Sequence, residues 1–384
     1  GCIRLVDHID VSAYGSNLMF VGDVNGDGRM ELLFQQCCGM LAADIFKPGT
    51  TGPYGKRYTT PEDQALDSLT AVDPEGRIIW QQGEPWPNDY PFREHGGMMM
   101  CLVEDIDGDG RDELVRIRGD QLQILDGLTG EIVRSVTLDS DGYSSLLTAR
   151  FTHDGTRHVI VKPCSNGLDD HPYCCPVIAF DHKLRQVWDR HDFPHAGHTP
   201  LGYDVDGDGL DELLIGSVCV NPDASIRWAL PLEKTHTDRR TICDVNGDGR
   251  MEQVLAFEAE GLVVSDLDGK LLWTYPVDHC GEACVGKFFS DRPGLQIFGN
   301  NENWRVESRD EVASYMLDCD GGAIWTSPLD RYAKSIDWPT DVGPQALLAK
   351  PHLADPEDAR PFIMDGAGRH LAQFDIPARL PQHT

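Results

Sequence analysis

A short acidic motif occurs four times in this chain and restricts its fold more than any other feature. The copies occupy residues 23–31, 105–113, 204–212 and 244–252, with the pattern Asp-x-Asp/Asn-Gly-Asp-Gly-x-x-Glu. Calcium prefers about six to eight oxygen ligands, and the glycines permit the positive φ angles of a tight loop. One copy could be a plain Asp-Gly turn, but four copies with a terminal Glu predict up to four structural Ca²⁺ sites. The predicted ligands are Asp23, Asn25, Asp27, Glu31, Asp105, Asp107, Asp109, Glu113, Asp204, Asp206, Asp208, Glu212, Asp244, Asn246, Asp248 and Glu252.

A second repeat is a predicted hairpin in which an apolar strand, an Asp-x-x-Gly-like turn and a strand often ending in Trp follow one another. Its seven copies occupy residues 71–80, 124–133, 179–188, 219–228, 264–273, 316–325 and 363–372. Successive copies begin 40 to 55 residues apart, which is the period of a four-stranded propeller blade.

The two repeats interleave, so each unit has strand A, an acidic or degenerate turn, strand B, a variable loop, strand C, the hairpin turn and strand D. The degenerate turns lie at residues 153–157, 291–294 and 341–344. We therefore predict an all-β protein, a single seven-bladed β-propeller over residues 1–384 with four-stranded antiparallel blades and calcium-binding A–B loops. The predicted blades cover approximately 17–81, 98–137, 144–188, 198–229, 238–275, 281–326 and 334–376. Closure of such a ring leaves no exposed sheet edge.

The charge and the cysteine content of the chain limit its possible binding partners and its cellular compartment. Sixty-three acidic and 33 basic side chains give a formal net charge of −30, which repels nucleic acid and anionic membranes. No apolar run is long enough to span a membrane. Calcium loops fill readily outside the cytoplasm, where disulfides also persist. The 12 cysteines therefore predict disulfides in preference to a thiolate zinc site, in an extracellular or periplasmic monomer. No signal peptide is visible, and Gly1 in place of Met indicates a processed or trimmed start.

Loop lengths point to one end of the propeller as the functional end. A–B and C–D turns lie at one end of a blade, and B–C and D–A connections lie at the other. The long segments are all B–C or D–A connections, at residues 37–67, 82–97, 164–175, 189–197, 230–237, 300–312 and 351–360. Binding sites on rigid scaffolds are usually built on such loops. We call this end the variable face and the opposite end the metal-loop face.

Histidines and cationic side chains are concentrated in the same connections. Eight of the 14 histidines map there: His95, His171, His191, His195, His198, His236, His279 and His352. Other members are Lys56, Arg57, Arg93, Lys234, Arg239, Arg240, Arg305, Tyr54, Tyr58, Tyr90 and Tyr173. A single His is more often a surface residue, but this convergence around a central channel predicts a pocket for an anionic ligand such as a uronic acid.

β-Elimination of a uronate needs a neutralised carboxylate, a base for the C5 proton and an acid for the leaving oxygen. Glycoside hydrolysis needs two carboxylates facing the bond, and the acids predicted for this face, Glu282 among them, are scattered in the sequence.

Residues 288–298, Phe-Phe-Ser-Asp-Arg-Pro-Gly-Leu-Gln-Ile-Phe, together with both repeats, resemble blades of rhamnogalacturonan-lyase-type propellers. The chain also resembles the seven-bladed ulvan lyases and rhamnosyl-glucuronate lyases, and its acidic loops are similar to those of FG-GAP and VCBS-like calcium-binding propellers. Rhamnogalacturonan lyases have eight blades. The resemblance implies a polysaccharide lyase, a carbon–oxygen lyase, acting on a uronate-containing, rhamnose-uronate glycan.

Position in the predicted blades selects the candidate residues. The catalytic candidates are His95, His198, Tyr173 and His236, and the substrate-binding candidates are Arg239, Arg240, His171, Arg93 and His195. His95 and His198 precede inner strands and are candidates for the base or for charge neutralisation, whereas Tyr173 is a candidate acid or base from the rim. Arg239 or Arg240, with His236, is expected to bind the carboxylate.

Two other functions remain open from the sequence. One is a non-catalytic propeller that binds glycan or protein through the variable face. The other is a glycoside hydrolase that uses a single His or a metal, with His191, His195 and His198 close enough in sequence to share an ion.

Overall fold

The computed structural model describes Tyr14 and residues 18–37, 67–84, 101–140, 142–163, 175–194, 196–232, 237–258, 260–301, 313–329, 331–351 and 360–374. Every regular element within these ranges is a β-strand. The strands form seven four-stranded sheets, and in each sheet the strands are antiparallel and adjacent in chain order. The prediction of an all-β, seven-bladed propeller is therefore confirmed.

Each blade contributes four strands, here given in the order A, B, C and D. Blade 1 contains β1 (Leu18–Gly22), β2 (Glu31–Cys37), β3 (Asp67–Val72) and β4 (Ile78–Gly83). Blade 2 contains β5 (Cys101–Glu104), β6 (Glu113–Arg118), β7 (Gln121–Leu125) and β8 (Ile132–Thr137). Blade 3 contains β9 (Ser145–Ala149), β10 (His158–Lys162), β11 (Val177–Phe180) and β12 (Gln186–Arg190). Blade 4 contains β13 (Leu201–Tyr203), β14 (Glu212–Ile215), β15 (Val218–Val220) and β16 (Ile226–Ala229).

The remaining three blades follow the same order. Blade 5 contains β17 (Thr237–Cys243), β18 (Glu252–Phe257), β19 (Gly261–Asp266) and β20 (Leu271–Tyr275). Blade 6 contains β21 (Ala283–Gly286), β22 (Gln296–Asn300), β23 (Ser314–Leu317) and β24 (Ala323–Ser327). Blade 7 contains β25 (Arg331–Ile336), β26 (Ala346–Pro351), β27 (Phe362–Met364) and β28 (His370–Gln373).

The hydrophobic core lies between blades. The B strands β14, β18 and β22 are buried along their whole length, because both faces of each sheet are covered. One cluster joins blades 2 and 3 through Val115, Val159 and Phe180. Others join blades 3 and 4, 5 and 6, 6 and 7, and 1 and 2. Burial of apolar area is thus the main force that packs each sheet on its neighbours.

Tryptophans on the outer strands add a directional bond between blades. In five blades the D-strand Trp donates its indole N–H to a carbonyl in the next blade's C–D hairpin, at 2.7–3.2 Å. The donors are Trp80, Trp188, Trp228, Trp273 and Trp325. Gly269 has φ +83°, and a Cβ there would lie 2.6 Å from the Trp228 ring, so glycine is required beneath that indole. Blades 2 and 7 carry Arg134 and Ala372 at the Trp position, as the strand register shows.

The antiparallel order of each sheet assigns the loops to the two ends of the propeller. All four acidic motifs connect strands A and B, at β1–β2, β5–β6, β13–β14 and β17–β18. They lie at the same end as the C–D hairpins, because both connections return the chain from a strand that runs toward that end. The B–C and D–A connections lie at the opposite end. The predicted separation of the metal-loop face from the variable face therefore agrees with the observed topology.

The seven cysteines whose side chains the structure describes are free thiols, so the expectation of disulfides is not met among them. They are Cys101, Cys175, Cys219, Cys243, Cys280, Cys284 and Cys319. Cys280 and Cys284, which are close in sequence, are both buried and do not bond to each other. Burial raises the pKa of the Cys280 thiol to about 12, so this sulfur stays protonated and unreactive.

Within the described ranges, no helix is long and apolar enough to cross a bilayer.

Candidate functional site

Three consecutive blades each bring one titratable side chain to the same point on the variable face. His198 lies before β13 of blade 4, Asp238 lies in β17 of blade 5, and His279 lies before β21 of blade 6. Nε2 of His279 is 2.8 Å from Oδ2 of Asp238, and Nε2 of His198 is 3.5 Å from Oδ1 of the same carboxylate. We call these three residues the His–Asp–His cluster. Their side chains are 14–21% exposed, so the cluster is sheltered but accessible.

Backbone contacts between blades 4 and 5 hold His198 in place. Its N–H donates to the Thr237 carbonyl at 2.8 Å, and the Thr199 hydroxyl donates to the Asp238 carbonyl at 3.3 Å. Gly197 makes this approach possible, because a Cβ on it would lie 2.1 Å from Oγ1 of Thr237. Its φ of +63° is also unfavourable for any other residue. The strand register shifts between Thr237 and Arg239, which marks a bulge at Asp238, and bulges often redirect side chains near sites.

His279 is positioned by its own neighbours in blade 6. Its N–H donates to Oδ1 of Asn301 at 3.0 Å. Glu282 lies three residues further along the chain and is 2% exposed. One of its oxygens, Oε1, accepts a bond from Nζ of Lys334 in β25 at 3.3 Å. The variable face therefore carries a buried carboxylate and a half-exposed ammonium close in sequence to the His–Asp–His cluster.

A carboxylate held between two imidazoles is suited to proton transfer. Hydrogen bonding of Asp238 to one ring nitrogen of His279 fixes the tautomer and the orientation of that ring. An imidazole oriented in this way can serve as a general acid or base. His198 faces the second oxygen of Asp238, so one carboxylate orients two potential acid–base groups.

Several predicted site residues lie outside the described residues. These are His95, Tyr173, His236, His171, Arg93 and His195. Their placement therefore stays a prediction.

The two predicted arginines have different surroundings. Nη1 of Arg239 donates to the Asp238 carbonyl at 3.1 Å, which keeps its guanidinium at the start of β17. Arg240 lies between blades 4 and 5, where Nη2 donates to the Gly216 carbonyl at 2.6 Å and Nη1 donates to Gln253. Burial lowers the pKa of Arg240 to about 9. The Arg240 side chain therefore serves blade packing, and we assign it no role in binding an anion.

The proposed sharing of one ion by His191, His195 and His198 gains no support from the two described members. Nε2 of His191 lies 3.6 Å from Oδ2 of Asp189, whereas His198 faces Asp238. Within the described ranges, the groups of three side chains that could hold a metal belong to two acidic loops.

Asp238 and Lys334 were missed as site residues by the sequence analysis, although His279 and Glu282 were placed on the correct face. Asp238 had a recognisable signal, since it stands alone as an acid between His236 and Arg239. Lys334 gave no signal, because it lies within a strand and reaches the site across a blade boundary.

The acidic loops are numbered here by blade: loop 1 (residues 23–31), loop 2 (105–113), loop 4 (204–212) and loop 5 (244–252). In every one, a terminal Glu accepts the backbone N–H of the loop's second residue at 2.9–3.1 Å. The first Asp accepts several N–H groups of its own loop; in loop 2, Asp105 bonds Gly108 at 2.7 Å and Gly110 at 2.9 Å. These bonds aim carboxylates into one small volume.

Carboxylates are closest together in loops 2 and 4. Asp105, Asp107 and Glu113 have oxygens within 4.8 Å of one another, as do Asp204, Asp206 and Glu212, so both groups could hold a metal ion. Burial, reinforced by the nearby aspartates, raises the pKa of Glu113 to about 7. Burial also raises the pKa of the terminal Glu in the other three loops. The carboxylates in each loop repel one another, and a bound cation would relieve that repulsion.

Loops 1 and 5 have Asn at the third position, and the amide changes the local contacts. Nδ2 of Asn25 donates to Oε1 of Glu31 at 2.9 Å. Its Oδ1 accepts the N–H of Asp27 at 2.8 Å. In loop 1 an amide nitrogen therefore stands beside the terminal Glu, where loops 2 and 4 have a carboxylate. The residues present still offer enough oxygens for a hard cation.

No protein-family model matches this chain, and no curated protein matches it in sequence. Solved structures do share its fold. The exotype rhamnogalacturonan lyase YesX matches with a TM-score of 0.67 and 18% identity, covering 94% of this chain and 65% of that one. A Bacillus licheniformis rhamnogalacturonan lyase matches at 0.61 with 14% identity, covering 94% and 71%. The V. cholerae biofilm matrix protein Bap1 matches at 0.54 with 13% identity, covering 94% and 80%.

At these identities, the likenesses show a shared fold. The chain is a seven-bladed propeller that resembles those of polysaccharide lyases, and it spans about 65% of the length of YesX.

Proposed function

We propose that this propeller is a polysaccharide lyase that cleaves a uronic-acid-containing glycan by β-elimination. The observation that carries the proposal is the His–Asp–His cluster, in which His198 and His279 from two blades share the Asp238 carboxylate of a third. The likeness to three rhamnogalacturonan lyases supports it at the level of the fold. By the same analogy, the substrate is a glycan that alternates rhamnose and a uronate.

The cluster would supply the proton transfers. One imidazole accepts the C5 proton of the uronate, and the other donates a proton to the leaving O4 oxygen. Asp238 contacts both rings and keeps them in orientation, so it acts as a positioning residue. Tyr173, His95 and His236 remain predicted additional acid–base groups at this face.

Removal of the C5 proton also requires that the substrate carboxylate be neutralised, because the developing charge spreads onto it. Arg239 is the best-placed described cation, since its guanidinium is held at the start of β17 beside Asp238. Lys334 is a second candidate: its side chain is 66% exposed, and within the described ranges it forms an ion pair with Glu282. Arg93, His171 and His195 remain predicted contributors to this binding.

We further propose that the acidic loops hold structural Ca²⁺. They lie at the opposite end from the His–Asp–His cluster, so the ions would fix A–B turns and would not contact the substrate. Support comes from loop 2, where oxygens of Asp105, Asp107 and Glu113 lie within 4.8 Å of one another and the pKa of Glu113 is raised. Such loops bind calcium most readily at the millimolar concentrations found outside the cytoplasm, which favours an exported protein.

The lyase proposal is tested by incubating the protein with rhamnogalacturonan, ulvan and glucuronate-bearing plant gums. Ultraviolet absorbance of the C4–C5 double bond in the unsaturated uronate product reports elimination. We expect absorbance to grow with at least one of these polymers, and His198→Ala to lower the rate about 100-fold or more. His191→Ala, which changes an exposed His of the same connection, should keep the wild-type rate. Absence of unsaturated product from every polymer would overturn the proposal.

A binding propeller without catalysis is the second candidate. The observation that favours it is the likeness to the biofilm matrix protein Bap1, of which this chain covers 80%. This function predicts saturable binding of a glycan with no change in its chain length. Binding isotherms measured beside product analysis separate the two functions, because a lyase leaves new unsaturated ends and a binding protein leaves none.

A further inference from the structure

A cationic side chain from strand β16, Arg227, contacts the carboxylates of loop 4. Nη2 of Arg227 lies 2.8 Å from Oδ2 of Asp206, and Nη1 lies 3.5 Å from Oε1 of Glu212. These carboxylates stand at the third and ninth positions of the loop, where a metal ion would find two of its ligands. Glu212 is 2% exposed, so its charge is shielded from water and depends on a nearby partner.

The arginine is specific to blade 4. It stands one residue before the Trp position of the D strand, on β16. The other six blades have an aliphatic residue there: Ile79, Val133, Val187, Leu272, Ile324 and Leu371. Blades 1, 2 and 5, whose A–B loops are also acidic, therefore have no cation at this D-strand position.

Blade 6 shows that this fold can close an A–B turn with a cation of the chain. Lys287 follows strand A directly, at the position that Asp244 holds in blade 5. Its Nζ donates to the Gly294 carbonyl at 2.8 Å and also to the Arg292 carbonyl. Gln296 opens strand B and accepts the Phe288 N–H at 3.0 Å, which is the bond that Glu252 makes to Val245. An ammonium and a neutral amide thus replace the acids of a metal loop.

We propose that Arg227 takes the place of the metal ion in loop 4, so that the folded chain holds calcium in loops 1, 2 and 5. The inference rests on the proposal that the acidic loops bind calcium. A guanidinium bridging Asp206 and Glu212 competes with an ion for the same oxygens and repels it at short range. The complete acidic motif of loop 4 is therefore not by itself a metal site.

The test counts calcium bound per chain, by calorimetric titration of chelator-treated protein. We expect three ions for the wild-type chain and four for Arg227→Leu, which installs the residue type of blade 5. Arg227→Lys keeps a positive charge and should keep the count at three. As a matched pair, Asp105→Ala in loop 2 should remove one ion, whereas Asp204→Ala in loop 4 should leave the wild-type count unchanged.

Two results would overturn the inference. One is a wild-type chain that binds four ions and loses one with Asp204→Ala. The other is a folded Arg227→Leu chain, with a normal circular dichroism spectrum, that binds no additional ion. If Arg227→Leu does not fold, the Asp204→Ala count alone decides. Failure of the calcium proposal itself looks different, because neither the wild-type chain nor any variant then binds calcium, and both proposals fall.

Discussion

Nε2 of His279 lies 2.8 Å from Oδ2 of Asp238 across the boundary between blades 5 and 6. The two residues are 41 positions apart in the chain, so this contact exists only when the blades are packed. Acid–base chemistry at the His–Asp–His cluster should therefore depend on the charge of Asp238 and on the packing that brings its partners to it.

Replacement of Asp238 by Asn tests the charge. The amide keeps the shape of the side chain but no longer holds both imidazoles in one orientation, so we expect turnover to fall about 100-fold or more with little change in folding. Initial rates of unsaturated uronate formation measure this, and Asp189→Asn beside the exposed His191 is the control. Equal rates for Asp238→Asn and the wild-type enzyme would remove the carboxylate from the mechanism.

Gly197→Ala tests the approach of blades 4 and 5. The new Cβ would lie 2.1 Å from Oγ1 of Thr237. The alanine would also have to adopt a φ of +63°, which is unfavourable for a residue with a Cβ. Gly207→Ala is a matched control, because Gly207 has φ +77° and nothing within 4 Å of its added Cβ. The left-handed backbone conformation alone costs a residue with a Cβ about 1 to 2 kcal/mol. We expect Gly197→Ala to lower the melting temperature more than Gly207→Ala and to reduce lyase activity. Equal losses in the two variants would show that the contact with Thr237 is relaxed without cost.

The stability of the metal-free protein should depend on the ionisation of Glu113. Its folded-state pKa is raised from 4.5 to about 7, so the folded chain holds a proton that the unfolded chain releases in this range. More protons are then bound in the folded state, and stability contributed by this group is lost as pH rises from about 4.5 to 7.

Glu113→Gln isolates that effect from other titrations. In chelator, the variant should match the wild-type chain near pH 5 and exceed its unfolding free energy by about 1 to 3 kcal/mol near pH 8. Calcium should reverse the order near pH 8, because Gln is a poorer ligand. Thermal melts at both pH values, with and without calcium, provide the measurement. A wild-type–variant difference that does not change with pH would contradict the raised pKa.

Trp228→Phe tests the bond between neighbouring blades. The indole N–H of Trp228 donates to the Leu267 carbonyl at 2.9 Å, and Phe retains much of the packing without the donor. We expect a loss of about 1 kcal/mol, seen as a lower midpoint in urea unfolding. Ile226→Ala, on the exposed side of the same strand, should change the midpoint less. An unchanged midpoint for Trp228→Phe would mean that water replaces the bond at no cost.

The fold was predictable because the repeats carry two independent signals. The acidic motifs mark A–B turns and the Trp hairpins mark C–D turns, so their alternation determines strand order and which end each loop occupies. Contacts between blades were harder to predict. His198, Asp238 and His279 meet because three inner strands run side by side, and a bulge at Asp238 sets the direction of its side chain. Neither condition can be seen in residue spacing.

Arg240 and Arg227 also show that contacts between strands cannot be read from the sequence. Arg240 was predicted to bind substrate and does not face the site, whereas Arg227 was not predicted and contacts an acidic loop. Arg240 was chosen for its position at the start of an inner strand, yet its side chain points between blades to Gly216 and Gln253. Strand alternation could have indicated that Arg239 and Arg240 face different sides. Arg227 could have been found by aligning the seven hairpins, where it is the single charged residue at its position. Its contact with Asp206 required coordinates.

Blade 2 has Arg134 where five other blades have Trp, so apolar packing carries its junction with blade 3 without the help of an indole–carbonyl bond. Hydrophobic stabilisation weakens on cooling. A hydrogen bond between blades does not depend on the hydrophobic effect. The junctions that follow blades 2 and 7 both lack this bond, so they are expected to be more sensitive to cold than the other five. In a protein chilled toward freezing, amide hydrogens of β8 and β9, at the first of these junctions, should exchange earlier than those at the junctions with a Trp bond.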